Sequence, residues 1–213
     1  MSLAQQRGRF ITVEGIEGVG KSTNVMFIAD YLEKRGIPFI VTREPGGTPL
    51  AESLRETLLT PRDEKVSPIT ELLVMFAARA QHIQQVIEPA LAIGKWVISD
   101  RFTDATYAYQ GGGRGIDMKQ IAMLEKIVQS TLRPDLTLLL DAPVEVGLQR
   151  AHKRSAADRF EQETQQFFTR VAKVYRARAA EFPERFAIVD TNQSLVAVQV
   201  DIGVVLETLF MKY

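Results

Sequence analysis

Gly15-Ile16-Glu17-Gly18-Val19-Gly20-Lys21-Ser22, followed by Thr23, is the stretch on which the reading of this chain turns. It has the spacing G-x-x-x-x-G-K-[ST], it follows the short β-branched run Arg9-Phe-Ile-Thr-Val-Glu14, and it opens a helical pattern over Lys21–Arg35. Strand, glycine loop and helix in that order are the setting in which this pattern becomes a phosphate loop. The glycines let the backbone fold around a β-phosphate, so that amide N–H groups and the helix N-terminus face the anion. Lys21 then bridges the β- and γ-phosphates, and the Ser22 hydroxyl ligates Mg²⁺.

Outward from the loop, four more apolar runs alternate with helical patterns: Phe39–Thr42, Trp96–Ser99, Leu136–Asp141 and Phe186–Asp190. Gly36 and Pro38 supply the stop signal for the first helix. Asp117 reads as an N-cap with Gln120 placed to complete a capping box, and Pro143 as a first-turn proline. Leu195, Val198, Ile202, Val205 and Leu209 form a C-terminal apolar stripe. The alternation predicts an α/β fold, a doubly wound five-stranded parallel sheet flanked by helices, with the strands buried on both faces. Residues 1–213 read as one domain without repeats, low-complexity tracts or an interdomain linker.

The 213 residues carry 26 Lys+Arg against 26 Asp+Glu, no cysteine and 46% hydrophobic side chains. Zero cysteine excludes thiolate-bound zinc, iron–sulfur clusters and thiol catalysis. Neutrality argues against nucleic acid or an anionic membrane as partner, since both select a basic excess. No apolar run approaches the ~20 residues that span a bilayer, and the polar start Met1–Arg9 has no leader-like apolar core. The expected location is the cytoplasm.

In a doubly wound sheet, ligands sit at the carboxyl ends of the strands. Strand three ends in Asp100-Arg101, which offers a carboxylate for a Mg²⁺ water and a guanidinium for a phosphate. Arg43 ends strand two and Arg55 lies in the next helix. Three arginines plus Lys21 are more positive charge than one triphosphate needs, so a second phosphate-bearing substrate is expected. Between Arg150 and Arg159, four basic residues (with Lys153 and Arg154) face one acid, Asp158, around the small residues Ser155–Ala157. That composition suits a mobile lid over about 150–160, closing cations over a migrating phosphoryl group. Arg154 and Arg159 are the candidates there, with Arg150 bracing the lid. A GTPase would need Asn-Lys-x-Asp, which is absent.

Together the phosphate loop through Thr23, Thr42-Arg-Glu-Pro-Gly-Gly47, Phe76-Ala-Ala-Arg-Ala-Gln-His82, Ser99-Asp-Arg-Phe102 and Tyr109-Gln-Gly-Gly-Gly-Arg-Gly115 resemble the bacterial thymidylate kinases, over essentially the whole chain. The resemblance implies a P-loop NTPase fold and phosphoryl transfer from Mg-ATP to dTMP, with Lys21, Arg101, Arg154 and Arg159 as catalytic residues. It assigns ATP to Gly15–Thr23, and dTMP to Glu17, Arg43, Pro45, Arg55, Phe76, Arg79, Arg101, Thr106 and Gln110. Ser22 and Asp100 fall on the metal. Phe76 would stack on thymine, Arg79 would donate to its O4, and Thr106 and Gln110 would meet the pyrimidine edge. Glu17 would accept from the 3′-hydroxyl. Gly18, where another subtype carries an arginine, implies that the catalytic arginine comes from the lid. A homodimer is also implied. His82 is read as structural, and the polar loop Thr191–Ser194 lies where adenine often sits. Two other readings stay open: a kinase of the same fold for another nucleotide or nucleoside, and a nucleotide-binding regulator without turnover.

Overall fold

The computed structural model describes residues 6–152, 159–160 and 162–211. Five parallel strands, β1 (Phe10–Glu14), β2 (Phe39–Arg43), β3 (Trp96–Asp100), β4 (Leu136–Asp141) and β5 (Phe186–Asp190), form one sheet in the order β2-β3-β1-β4-β5. The β1 strand is central in that order, and with a neighbour on each flank every one of its residues is buried. Two of the five strands depart from the expected two-faced burial. β2 and β5 are the sheet edges, and Val41 and Ile188 are about half exposed there. An edge strand has one flank without a neighbour, which an apolar run alone does not reveal.

Register brings the chemistry to one edge. Val13 and Arg43 both pair with Asp100, and Asp141 pairs with Asp190, so the polar residues ending the strands share the carboxyl side. The chain leaves β1 toward β2 and leaves β4 toward β5, which opens a crevice beyond the central strand.

Helices α1 (Lys21–Glu33), α2 (Pro49–Leu59), α3 (Pro68–His82), α4 (Glu88–Ala92), α5 (Thr103–Thr106), α6 (Met118–Gln129), α7 (Val144–His152), α8 (Gln165–Glu181) and α9 (Leu195–Met211) connect and cover the strands. The first helix stops at Glu33, two residues short of the expected end, and Gly36 takes φ 67° just beyond it. Asp117 caps α6 by accepting from Lys119 N, and the Pro143 carbonyl accepts from Gly147 N as α7 begins. On α9 the buried stripe is Val198, Ile202, Leu206 and Leu209. Leu195 faces solvent and Val205 is half-buried, because the true period keeps 206, not 205, on the inward line. Among the described residues, no helix is long and apolar enough to cross a membrane.

Two described segments are π-helical: Ile83–Ile87, which joins α3 to α4, and one that takes the place of an expected helix. After α5 the chain widens into a π-helical segment, Tyr107–Gly113, packed closely on α8. A Cβ at Gly112 would lie 2.6 Å from Val174 and 2.9 Å from the Arg170 carbonyl, so only glycine permits that approach. Widened turns of this sort recur at functional sites, and this one carries Tyr109 and Gln110 toward the crevice.

Candidate active site

The phosphate loop joins β1 to α1 with Gly15, Gly18 and Gly20 at φ 139°, 75° and 94°. Gly18 is fixed by packing as well as by dihedral. A Cβ there would sit 1.8 Å from the Gly147 carbonyl of α7, so the loop has no room for a side chain at that position. Lys21, 7% exposed, folds back so that Nζ donates to the carbonyls of Ile16 (2.8 Å) and Gly15 (3.2 Å). Burial, joined by the charge of Arg101, pushes its pKa down, while Glu17, Asp100 and Glu14 pull the other way. Ser22 and Thr23 are exposed at the helix start, and α1 has no acid in its first turn. That leaves the positive helix end open to an anion.

Beside the loop lies a cavity. Of the residues expected at a dTMP site, Glu17, Pro45, Arg55, Arg79, Arg101, Thr106 and Gln110 line it. Glu17 turns away from the phosphate side. Its Oε1 accepts from Arg101 Nη2 (2.6 Å) and Tyr109 OH (3.2 Å), and its Oε2 lies 3.8 Å from Lys21 Nζ. Burial alone would raise this carboxyl, but the charges of Arg101 and Lys21 and the donated hydrogen bonds hold it down at about 2.

Arg101 has a backbone held in place on three sides. Its φ is 71°, a strained value for a residue with a Cβ. Arg101 N donates to Val13 O (3.0 Å), Ser99 Oγ donates to Arg101 O (2.7 Å), and the next amide, Phe102 N, donates to Glu14 Oε1 (2.8 Å). Glu14 also accepts from Tyr175 OH at 2.8 Å. Burial, aided by the charge of Asp104, lifts the Glu14 carboxyl to about 8 against those two hydrogen bonds.

Arg79 forms the far wall. Nε donates to Glu44 Oε2 (2.7 Å), and Nη2 donates to Thr106 Oγ1 (2.9 Å) and Phe102 O (3.3 Å). Its Nη1 is buried without a partner among the described residues, as is Arg101 Nε. His82 supports Glu44 from beneath, at 3.0 Å from Oε1 through Nδ1 and 2.7 Å from Thr42 Oγ1 through Nε2. Arg55 Nη1 donates to the Pro45 carbonyl at 2.9 Å.

Two expected residues are not brought to this cavity. Phe76 is 2% exposed and packs with Leu72, Tyr107, Ile116 and Ile121, while its helical neighbour Met75 takes the lining position. Both residues adjoin Arg79 on the helix, one at i−3 and the other at i−4, so spacing could not choose between them. Arg43 points instead into an open groove with Ser22, Thr42, Gly47 and Asp100, paired to Glu52 at 2.9 Å. Ser22 and Asp100 thus share one groove, and a hydroxyl beside a carboxylate suits a hard divalent ion that keeps most of its waters. Among the described residues, no cluster of three or more His, Cys, Asp or Glu forms a metal cage. Such an ion would therefore take its remaining oxygens from a nucleotide and from water.

Of the lid expected over about 150–160, residues 153–158, and with them Arg154, lie outside the described residues. Arg159, on its far side, meets the acceptor cavity's surroundings, not the phosphate loop. Its Nε donates to Leu58 O (2.7 Å) and its Nη2 to Glu71 Oε2 (2.5 Å). Phe160 follows it into the cavity wall, edge-on to Tyr109. Arg150 donates to Thr191 O at 3.0 Å, tying α7 to the loop after β5. Beyond the expected set, Glu44, Leu59, Met75, Phe102, Ala105, Tyr109 and Phe160 line the cavity. Glu44 and Tyr109 stood inside motifs already singled out, whereas Leu59 carried no signal.

A family model described as Thymidylate kinase matches residues 13–202. A thymidylate kinase of Ectopseudomonas mendocina is 57% identical over 202 residues, covering 95% of this chain and 96% of that protein. One from Pseudomonas putida is 60% identical over 199 residues, covering 93% and 95%. Among solved structures, thymidylate kinase from Ehrlichia chaffeensis superposes with a TM-score of 0.76 at 33% identity, covering 94% of this chain and 99% of that one.

Proposed function

The chain belongs to the thymidylate kinase family, and from that premise we propose that it transfers the γ-phosphoryl group of ATP to dTMP, giving ADP and dTDP. The observation that carries the reading is the shared wall between loop and cavity. Glu17 is a residue of the phosphate loop, yet its carboxylate belongs to the cavity, clamped by Arg101 at 2.6 Å. A donor phosphate on the loop and an acceptor in the cavity therefore meet across Arg101.

An oxygen of the dTMP phosphate attacks the γ-phosphorus as the bond to the β,γ-bridging oxygen breaks, and the electron pair leaves with ADP. The attacking oxygen is already anionic, so the reaction needs alignment and charge neutralisation, not a strong base. Lys21 leaves the carbonyls of Gly15 and Ile16 for the β- and γ-phosphates. Arg101 bridges donor and acceptor phosphates, and Arg55 faces the acceptor phosphate. Arg79 and Gln110 read the base, with Met75 and Phe102 as its apolar bed. Ser22 and Asp100 would hold Mg²⁺, which would supply charge neutralisation on the donor phosphates. Arg154, from a lid over about 150–160, completes the cationic shell, while Arg159 holds the cavity roof through Glu71. The chain works as one domain, in the cytoplasm and as a homodimer, with no nucleic acid or membrane as partner.

An acceptor panel tests this: Mg-ATP with dTMP, dUMP, dCMP, CMP, AMP, GMP and thymidine, following ADP release. dTMP should turn over fastest. Clear activity on another acceptor with none on dTMP overturns the assignment, and binding without turnover on any acceptor favours a regulator.

A further inference from the structure

We propose that Glu71 determines which pyrimidine the cavity accepts, by holding the Gln110 carboxamide with its oxygen toward the base. The proposal deepens the phosphotransfer reading and rests on it. Glu71, on α3, is fully buried. Its Oε1 accepts from Gln110 Nε2 (2.8 Å) and Arg114 Nε (3.2 Å), and its Oε2 from Arg159 Nη2 (2.5 Å). Glu71 does not itself line the cavity, and its hydrogen bond to a lining side chain is the one to Gln110.

A carboxylate flanked by two guanidinium groups is an acceptor on both oxygens, so only the NH₂ end of an amide can face it. The Gln110 oxygen is thereby turned away from Glu71. Gln110 is 1% exposed and lines the cavity, and no donor among the described residues reaches that oxygen. On the cavity wall, that oxygen is placed to accept from a donor on a bound base. Thymine and uracil present N3–H, which donates. Cytosine presents a bare N3, which would meet the amide oxygen as acceptor against acceptor. Arg79, a donor in the same cavity, calls for a keto oxygen at the adjacent ring position and opposes an amino group there. Were the Gln110 amide reversed, its NH₂ would match cytosine N3. Glu71 forbids that reversal. It is a positioning residue, and a buried polar mismatch of this kind separates substrates by large factors.

Glu71→Gln tests the idea, because an amide at position 71 can donate or accept and frees Gln110 to flip. The ratio of kcat/KM for dTMP over dCMP should fall by about tenfold or more, with KM for ATP unchanged. The exchange variant Glu71→Gln/Gln110→Glu keeps composition and charge within the cluster. It restores a donor at 71 facing an acceptor at 110, so it should recover most of the selectivity. An unchanged ratio in Glu71→Gln, or an exchange variant no more selective than the single one, overturns the proposal. If Glu71→Gln does not fold, the exchange variant alone decides, with selectivity kept or lost. Failure of the phosphotransfer reading is separate, because it shows as wild-type protein inactive on dTMP.

Discussion

Arg79 and Glu44 meet at 2.7 Å with both side chains 3% exposed, whereas Arg43 and Glu52 meet at 2.9 Å with side chains 54% and 40% exposed. The two pairs have nearly the same geometry and lie on either side of one sheet edge. The first is sealed into the wall of the acceptor cavity, where removing one partner would strand a buried charge at a cost of about 3–5 kcal/mol. The second lies in the open groove beside Ser22 and Asp100, where such pairs contribute about 0–1 kcal/mol. On the cavity side, Arg79 is therefore paired before any substrate arrives. On the groove side Arg43 is only loosely engaged, free to change partners when a polyphosphate and its metal bind.

Three substitutions would break or sharpen that division. Lys21→Ala should act hardest, lowering kcat by about 10²–10³ while dTMP affinity, read by equilibrium titration, changes little. A collapse of dTMP binding in that variant would mean that loop and cavity are not separable. Glu14→Gln tests the cavity side through pH. The Glu14 carboxyl ordinarily titrates near 4.5 and is raised to about 8 in the fold, so its favourable protonated form is fully present below 4.5 and lost as pH rises through 8. Wild-type protein should lose up to about 1.4 kcal/mol of stability per pH unit across that window relative to Glu14→Gln, read as denaturant midpoints at pH 5 and 8. Parallel profiles would show that Glu14 does not titrate there. Arg43→Ala should be mildest, moving KM for dTMP by less than about twofold. A tenfold rise would return Arg43 to the acceptor site.

How much of this was legible depends on how local each feature is. The phosphate loop is contiguous, and its glycines, lysine and serine act through backbone geometry that neighbouring residues impose. Arg101, Arg79, Gln110 and Glu17 were identifiable because they sit within short motifs, and all four line the cavity. The choice between Met75 and Phe76 was not legible. One residue of helix is a rotation of about 100°, and only the packing of Phe76 against Leu72 and Ile121 shows which side faces in. The direction taken by Arg43 was not legible for a similar reason. A strand end fixes where a backbone points, while Glu52, nine residues on, decided where the guanidinium went.

By itself the sequence determined the strand–helix alternation, the phosphate loop and the set of charged residues carried to the strand ends, because each of these follows from neighbours along the chain. Only the tertiary structure decided which strands are edges, that Tyr107–Gly113 is π-helical against α8, and that Glu71 gathers Gln110 and Arg114 from one distant stretch and Arg159 from another. The physical reason is burial. Away from water a polar group must find its partner wherever the fold has brought one, and that partner can be 88 residues away, as Arg159 is from Glu71.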